Sequence, residues 1–463
     1  MSPQAQLIMV AWLPIIFYLF TILPSRKAVI VSFIVGSMFL PQKAGFRLPL
    51  IPDYTGIAAT SYGIIFAMLW KDFKSIKKFR FGWTDLPMLI WCISPFFSSM
   101  SNDLGAYDGI NELITQTVKW GLPYFFGRIY LNSLAGMREF AITLIQGGLL
   151  YVPLVLYESR MSPQLHKMVF GYWAHASGLR QASRLGGWRP MVFMEHGLML
   201  GMWMMTVAIV CFWLWNTGAI QKIWGISIKW LVLMLIVSWI LCKSSGTYVY
   251  FAYGLVVLFV AKWFRNGFPL LFLIMGIFIY LFLATSGNFD GDSLVSFVAN
   301  TFNPDRAQSL EFRFDNEEIL IEHARKRILF GWGGWGRNRV FEENWQGDIV
   351  DTTVTDSLWI ITFGINGLVG LVSLTSSLLL PVFRFCFFRY PARTWLNPKV
   401  APAASLAVVL TLFVLNCLIN AHLIAIYPMI SGGLSGLVCK KPEKVRAKIP
   451  KGSKIKRQLV LHK

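Results

Sequence analysis

Charge is scarce in this 463-residue sequence: Asp, Glu, Lys and Arg make up 14% of it, against 55% hydrophobic residues. Soluble domains carry about a quarter charged residues, so a soluble globular protein of this size is excluded. Cysteine is scarce too. Cys92, Cys211, Cys242, Cys386, Cys417 and Cys439 lie in or beside apolar runs without paired ligand spacing, so neither a disulfide framework nor a metal centre is expected. The N-terminal stretch has no basic region or small-residue cleavage site ahead of its first apolar run, and a cleaved leader is not expected. No internal two-fold repeat is found. No Gly-Lys-Ser/Thr ending follows the glycine-rich stretch near residue 331, so it is not a nucleotide P-loop.

Apolar length is what the sequence has. Runs at 5–23, 28–40, 55–70, 86–101, 113–131, 140–157, 195–215, 228–242, 247–264, 268–285, 356–383, 403–420 and 423–437 approach or reach the length that crosses a bilayer of about 30 Å. The second and eighth are short and the fifth contains Lys119 and Arg128, which leaves twelve or thirteen spans. Backbone in lipid must satisfy its own hydrogen bonds, and runs of this length do so as helices. The expected fold is all-α: a polytopic helical membrane protein with about 12–13 transmembrane helices and one long extracytoplasmic loop. The expected divisions are a transmembrane bundle at 1–285 with a basic outer loop at 158–194, the long loop at 286–355, further helices at 356–438 and a basic tail at 439–463.

Net charge is +20 and unevenly spread. Ten bases lie between Lys440 and Lys463, five between Lys71 and Trp83, and four between Arg384 and Lys399, with Glu443 and Asp72 as the only acids. Such segments belong on the cytoplasmic side, beside anionic lipid. A juxtamembrane basic tail is the plainer account of the segment from Lys440 to Lys463, and nucleic-acid binding is not expected there. Alternation then puts 101–112, 158–194, 243–246 and 287–355 outside. The first carries Asp103, Asp108 and Glu112 without a base, as an outer segment should. The second breaks the rule: five bases, including Arg180, Arg184 and Arg189, stand against Glu158 alone. An anionic ligand at the membrane surface is the simplest reason for cations there.

The long outer segment holds twelve acids and seven bases. Leu310, Phe314, Ile321, Ala324 and Ile328 recur at helical spacing, and Asn303-Pro304-Asp305 suits a helix start. On that helix Arg313 and Glu317 are one turn apart and positioned to pair. There follows Gly331-Trp332-Gly333-Gly334-Trp335-Gly336-Arg337-Asn338-Arg339. Backbone N–H groups of such a turn can cradle phosphate, with Arg337 and Arg339 adding bidentate contacts and Trp332 and Trp335 stacking on sugar faces. The plainer reading is an interfacial turn anchored by its tryptophans. Asp356 opens the next run, either as a helix cap or as a charge facing a cavity. Gly364, Gly367 and Gly370 suit close helix packing. Glu195 and His196 open another run at the outer interface. His175 lies near the arginines, with nothing in its spacing to give it a role. Lys119 and Arg128 should face the interior or reach for the edge, with Lys119 a candidate cavity residue.

Arg313 on a helix, the glycine-rich turn about twenty residues later, and a polar residue eleven positions before Gly-x-x-Gly-Leu together resemble the superfamily of O-antigen ligases and O-antigen polymerases; here the last two are Asp356 and Gly367-Leu368-Val369-Gly370-Leu371. The likeness is sharp over 309–371 and loose elsewhere. It implies a glycosyltransferase of the bacterial cytoplasmic membrane, working at the outer face without metal or cofactor on a glycan carried by undecaprenyl diphosphate. Membrane lipid, a chain-length regulator and a flippase are the partners it implies. Ligases usually carry histidine at the position of Asp356, so Asp356 favours a polymerase of repeat units for exopolysaccharide or O-antigen over a ligase. The resemblance makes Arg313 and Asp356 catalytic candidates and gives the diphosphate to cavity arginines, for which the cluster Arg180, Arg184 and Arg189 stands. Glu195 and His196 are further candidate bases by their own position, and Arg337, Arg339, Trp332 and Trp335 remain candidates for diphosphate or glycan from the turn itself. A flippase of lipid-linked sugars is the alternative from another class. A transferase using polyprenyl monophosphate sugars, with Asp103 and Asp108, is a third.

Overall fold

The computed structural model describes residues 2–48, 52–175, 182–184, 186–289, 291, 295–296, 299–300 and 304–443. Helices dominate, and the described strands form four short hairpins in the connections. In chain order the principal helices are α1 (Pro3–Ile22), α2 (Ser25–Phe39), α3 (Gly56–Lys71), α4 (Leu86–Ser101), α5 (Ala106–Gln116), α6 (Leu122–Tyr130), α7 (Leu134–Met161) and α8 (Gly197–Asn216). They continue with α9 (Ile228–Leu241), α10 (Ser245–Trp263), α11 (Phe268–Ser286), α12 (Pro304–Arg325), α13 (Leu358–Phe383), α14 (Ala401–Cys417) and α15 (Ile426–Cys439). Every expected apolar run is met by helix. The fifth is broken: a π-helical turn at Thr117–Gly121 joins α5 to α6 just ahead of Pro123, which cannot donate to the helix ladder.

Among the described residues, six helices are long and apolar enough to cross a membrane: α1, α7, α8, α10, α11, and α13 with its continuation to Arg389. α9, α14 and α15 are apolar but shorter. The 14 residues of α9 rise about 21 Å, less than a hydrocarbon core of about 30 Å. Length alone therefore does not fix the number of spans.

At one end of the bundle the Ser2 hydroxyl, at the start of α1, donates to the Phe170 carbonyl of the basic loop. At the other, Arg26, Lys78, Arg80, Arg384, Arg389 and Lys440 converge around Arg128. There α6 crosses α15 with backbones touching. A Cβ on Gly127 would lie 2.0 Å from the Met429 carbonyl oxygen, and one on Gly432 would lie 2.0 Å from that of Tyr124. Only glycine permits this approach. Beside the crossing, Arg128 Nε and Asp85 Oδ1 are 2.9 Å apart with both side chains buried. Asp85 also accepts from the Tyr124 hydroxyl at 2.8 Å, the Ser435 hydroxyl at 2.9 Å and the Gly82 N–H at 2.7 Å. Arg128 thus faces inward and is paired. Lys119 lies on the π-helical turn and does not line the arginine cavity described below.

α12 begins at Pro304, as the sequence suggests, and buries Leu320 and Ala324 while Phe314 packs on Phe289. Ile328 lies past the end of the helix and is exposed, so the apolar face is shorter than its periodicity implies. α13 is not continuous. Gly367 takes φ 62° and ψ −162°, a conformation that side-chain-bearing residues avoid. The backbone of the glycine-rich turn fills the break: Trp332 N–H donates to the Gly364 carbonyl at 2.8 Å and Gly333 N–H to that of Ile365 at 3.0 Å. In return, Leu368 N–H donates to the Ile328 carbonyl at 2.8 Å and Val369 N–H to that of Leu329 at 3.2 Å. This corrects the reading of Gly364, Gly367 and Gly370 as one helix-packing stripe. Gly370 does face Trp91 of α4, but Gly367 marks where another segment is spliced in.

Candidate functional site

A cavity of about 620 Å³ collects polar side chains from five separate segments. The basic loop supplies His175, Arg184, Arg189, Glu195 and His196; the first turn of α10 supplies Ser245 and Gly246. Arg313 comes from α12, Thr355 and Asp356 precede α13, and Asn420 and His422 lie between α14 and α15.

The basic loop is held by its lone acid. Glu158, buried at the end of α7, accepts the Leu165 N–H at 2.8 Å on one oxygen, and the Met191 and Val192 N–H groups at 2.8 and 2.6 Å on the other. Val192 has φ 54°, an unfavourable value for a β-branched residue, and the carboxylate fixes the chain there. A hairpin of Ser183–Arg184 and Gly187–Trp188 presents Arg184, and the Arg189 N–H closes it onto the Ala182 carbonyl at 2.6 Å. The Arg189 guanidinium donates to the Lys243 carbonyl at 3.0 Å, tying the loop to the turn before α10. His196 then caps α8, its Nδ1 accepting the Leu198 N–H at 3.0 Å, while Glu195 pairs with Lys43 at 3.2 Å.

From the other side, Arg313 Nη1 donates to the Ile419 carbonyl at 2.9 Å and Nε lies 3.8 Å from Asp356 Oδ2. The expected pairing with Glu317 is replaced. Glu317 accepts instead from the Ser357 hydroxyl at 2.5 Å, the Trp359 indole at 3.2 Å and the Tyr280 hydroxyl at 3.2 Å. Tertiary partners of both residues displace an exposed helix-surface pair worth a few tenths of a kcal/mol (about 0.2–0.5). Asp356 does not cap α13: Ser357 is the cap residue, and the Asp356 carboxylate faces the cavity.

Three imidazoles meet here. The ring centroid of His196 is 4.9 Å from that of His175 and 6.1 Å from that of His422. His422 was not singled out in the sequence; the polar island Asn420-Ala421-His422 between two apolar runs is the signal that marks it. Its Nε2 is buried without a hydrogen-bond partner among the described residues. Burial pushes all three imidazoles below the ordinary histidine range. For His196, burial followed by His175, His422, Arg189 and Arg184 lowers the pKa to about 3. These rings are neutral near pH 7; with Nδ1 of His196 accepting the Leu198 N–H, its Nε2 carries the hydrogen.

A stability slope follows. The unfolded chain binds protons on these histidines below about pH 6.5 and the folded cavity does not, so stability is present above that pH and is lost as pH falls. Thermal unfolding of the purified protein is expected to shift to lower temperature between about pH 7 and 4, and His196→Gln to make that slope shallower. Identical slopes for the two proteins would show that the cavity does not hold the ring neutral.

The remaining candidates lie elsewhere. Arg180 is outside the described residues. Trp332 stacks on His323 at 4.4 Å and its indole donates to the His323 carbonyl at 2.8 Å. Trp335 is 80% exposed and donates to Asp108 at 3.2 Å. Arg337 donates to the Asn102 carbonyl at 3.1 Å, and Arg339 pairs with Asp351. None of the four lines the arginine cavity, and the N–H groups of Trp332 and Gly333 are already taken by α13. Asp103 and Asp108 do not line it either. No protein-family model matches the chain, and no curated protein is significantly similar to it.

Proposed function

We propose that this protein spans the bacterial cytoplasmic membrane through twelve or thirteen helical segments and polymerises undecaprenyl-diphosphate-linked oligosaccharide repeats at the outer face. The observation that carries this reading is the cavity itself: Arg184, Arg189 and Arg313 converge with Asp356, Glu195 and three neutral imidazoles. In the reaction, an acceptor hydroxyl oxygen bonds to the anomeric carbon of the donor sugar. The bond from that carbon to the diphosphate oxygen breaks, and the lipid diphosphate leaves with the electron pair. Arginines fixed by backbone carbonyls, as Arg189 is by Lys243 and Arg313 by Ile419, are suited to the charge that develops on the leaving group. Asp356, or His422 with its bare Nε2, takes the proton of the acceptor hydroxyl.

A ligase is the second reading, and one observation favours it. The sequence argued against it because Asp356 stands where ligases carry histidine, yet His422 and His196 bring imidazole into the same cavity from other segments. Deleting the gene separates the readings. Single repeat units on undecaprenyl diphosphate, accumulating in the outer leaflet and weighed by mass spectrometry, are the expected result. Long glycans stranded on the lipid would make it a ligase; repeats confined to the inner leaflet would end both and leave a flippase.

A further inference from the structure

The other end of the bundle holds a cavity of about 900 Å³ that glycan transfer does not use. We propose that it binds the phosphate-bearing headgroup of an anionic lipid. The inference depends on the protein lying in a membrane and not on its chemistry.

Cations reach this cavity from five segments: Lys78 and Arg80 after α3, Arg384 and Arg389 at the end of α13, Arg26 at the start of α2, Lys440 after α15, and buried Arg128 on α6. Its lining has no Asp or Glu. Arg128 is answered by Asp85 and Arg26 by Glu139 at 3.8 Å. Among the described residues, the other five make no ion pair within 4.0 Å. Glu443, the nearest acid along the chain, has a carboxylate oxygen accepting the Leu134 N–H at 3.2 Å. Burial and then Arg128 hold the Lys440 ammonium below the usual lysine range, with Glu443 offsetting part of that shift. The chain's own continuation does not supply the counter-charge, because residues 444–463 contain eight bases and no acid.

The arrangement is also prepared for a phosphate. The Arg384 guanidinium is held 4.3 Å over the Trp83 ring, and Arg389 Nε donates to the Val438 carbonyl at 3.0 Å, so neither must be ordered by the ligand. A lipid, rather than a soluble phosphate, is indicated by the surroundings. Phe81, Trp83 and Phe388 are 57%, 56% and 68% exposed next to these cations. Aromatic rings at this level sit among headgroups, and basic pockets between helices there take lipid phosphates.

The test uses the full-length protein in neutral detergent, with bound lipid read by native mass spectrometry during titration. Diphosphatidylglycerol is expected to bind and phosphatidylcholine to leave no adduct. The double variant Arg80→Gln/Arg384→Gln is expected to weaken diphosphatidylglycerol about tenfold or more, and Arg80→Lys/Arg384→Lys to restore most of it. If the double variant does not fold, Arg80→Gln alone, at an exposed side chain, is read in its place. Equal binding of both lipids, or unchanged affinity in the Gln variant, would overturn the site. Displacement of the lipid by inorganic pyrophosphate at a similar concentration would overturn the lipid assignment and make the ligand a soluble phosphate.

Discussion

Arg313→Ala is expected to slow glycan transfer by about a hundredfold to a thousandfold, the loss that follows removal of one preorganised donor to a developing anion. Among the described residues, Arg313 is the charged residue of α12 that reaches the cavity, and it is held there from two sides by the Ile419 carbonyl and the Asp356 carboxylate. Arg313→Lys keeps the charge and loses the fork, so it should recover only part of the rate if the arginine grips a phosphate through two N–H groups. The measurement is chain elongation by purified variants on a lipid-linked repeat, with kcat and KM separated. A rise in KM alone would mean that Arg313 binds donor and transition state equally. Full activity of Arg313→Ala would remove the diphosphate role from this cavity. Asp356→Asn is the useful companion, since it takes away a carboxylate without emptying the space beside Arg313.

What could be read from the sequence, and what could not, divides by range. The helices were legible because apolar length is a local property, and even the start of α12 at Pro304 follows from first-turn chemistry. The excess of arginine in the segment 158–194 was legible because the charge rule set against it is statistical and strong. Four of the cavity's residues, Glu195, His196, Arg313 and Asp356, stand out individually in the sequence, and Arg184 and Arg189 as members of a cluster. His422 does not: the polar island Asn420-Ala421-His422 marks only a break between two apolar runs, and the turn from α14 to α15 is what carries the ring beside His196. The glycine-rich turn misled for a related reason. Its N–H groups have the geometry to meet phosphate, but the break at Gly367 offers them carbonyls first, and residues more than thirty positions away set that competition. Glu158 was noticed only as the odd acid; its work is to hold backbone at Leu165, Met191 and Val192, which no spacing rule reveals.

The largest effect on folding is expected at the opposite end, in Asp85→Ala. Asp85 is 4% exposed and Arg128 7%, and the acid accepts from four donors on three chain segments. Removing it leaves the Arg128 guanidinium buried without its counter-charge and the Tyr124 and Ser435 hydroxyls without their shared acceptor. Breaking one partner of such a pair costs about 3–5 kcal/mol, a large share of the roughly 5–15 kcal/mol that holds a typical domain. The Asp85→Ala protein should therefore melt well below the parent in neutral detergent, or fail to accumulate in membranes. Adding Arg128→Met tests the cause. A buried pair replaced by apolar side chains is often neutral, so the double variant should recover much of the lost stability even though two native groups are gone. A double variant no better than Asp85→Ala would place the damage in the lost hydroxyl acceptor rather than in the orphaned charge. An Asp85→Ala protein as stable as the parent would mean that the α6–α15 crossing stands on the Gly127 and Gly432 contact alone.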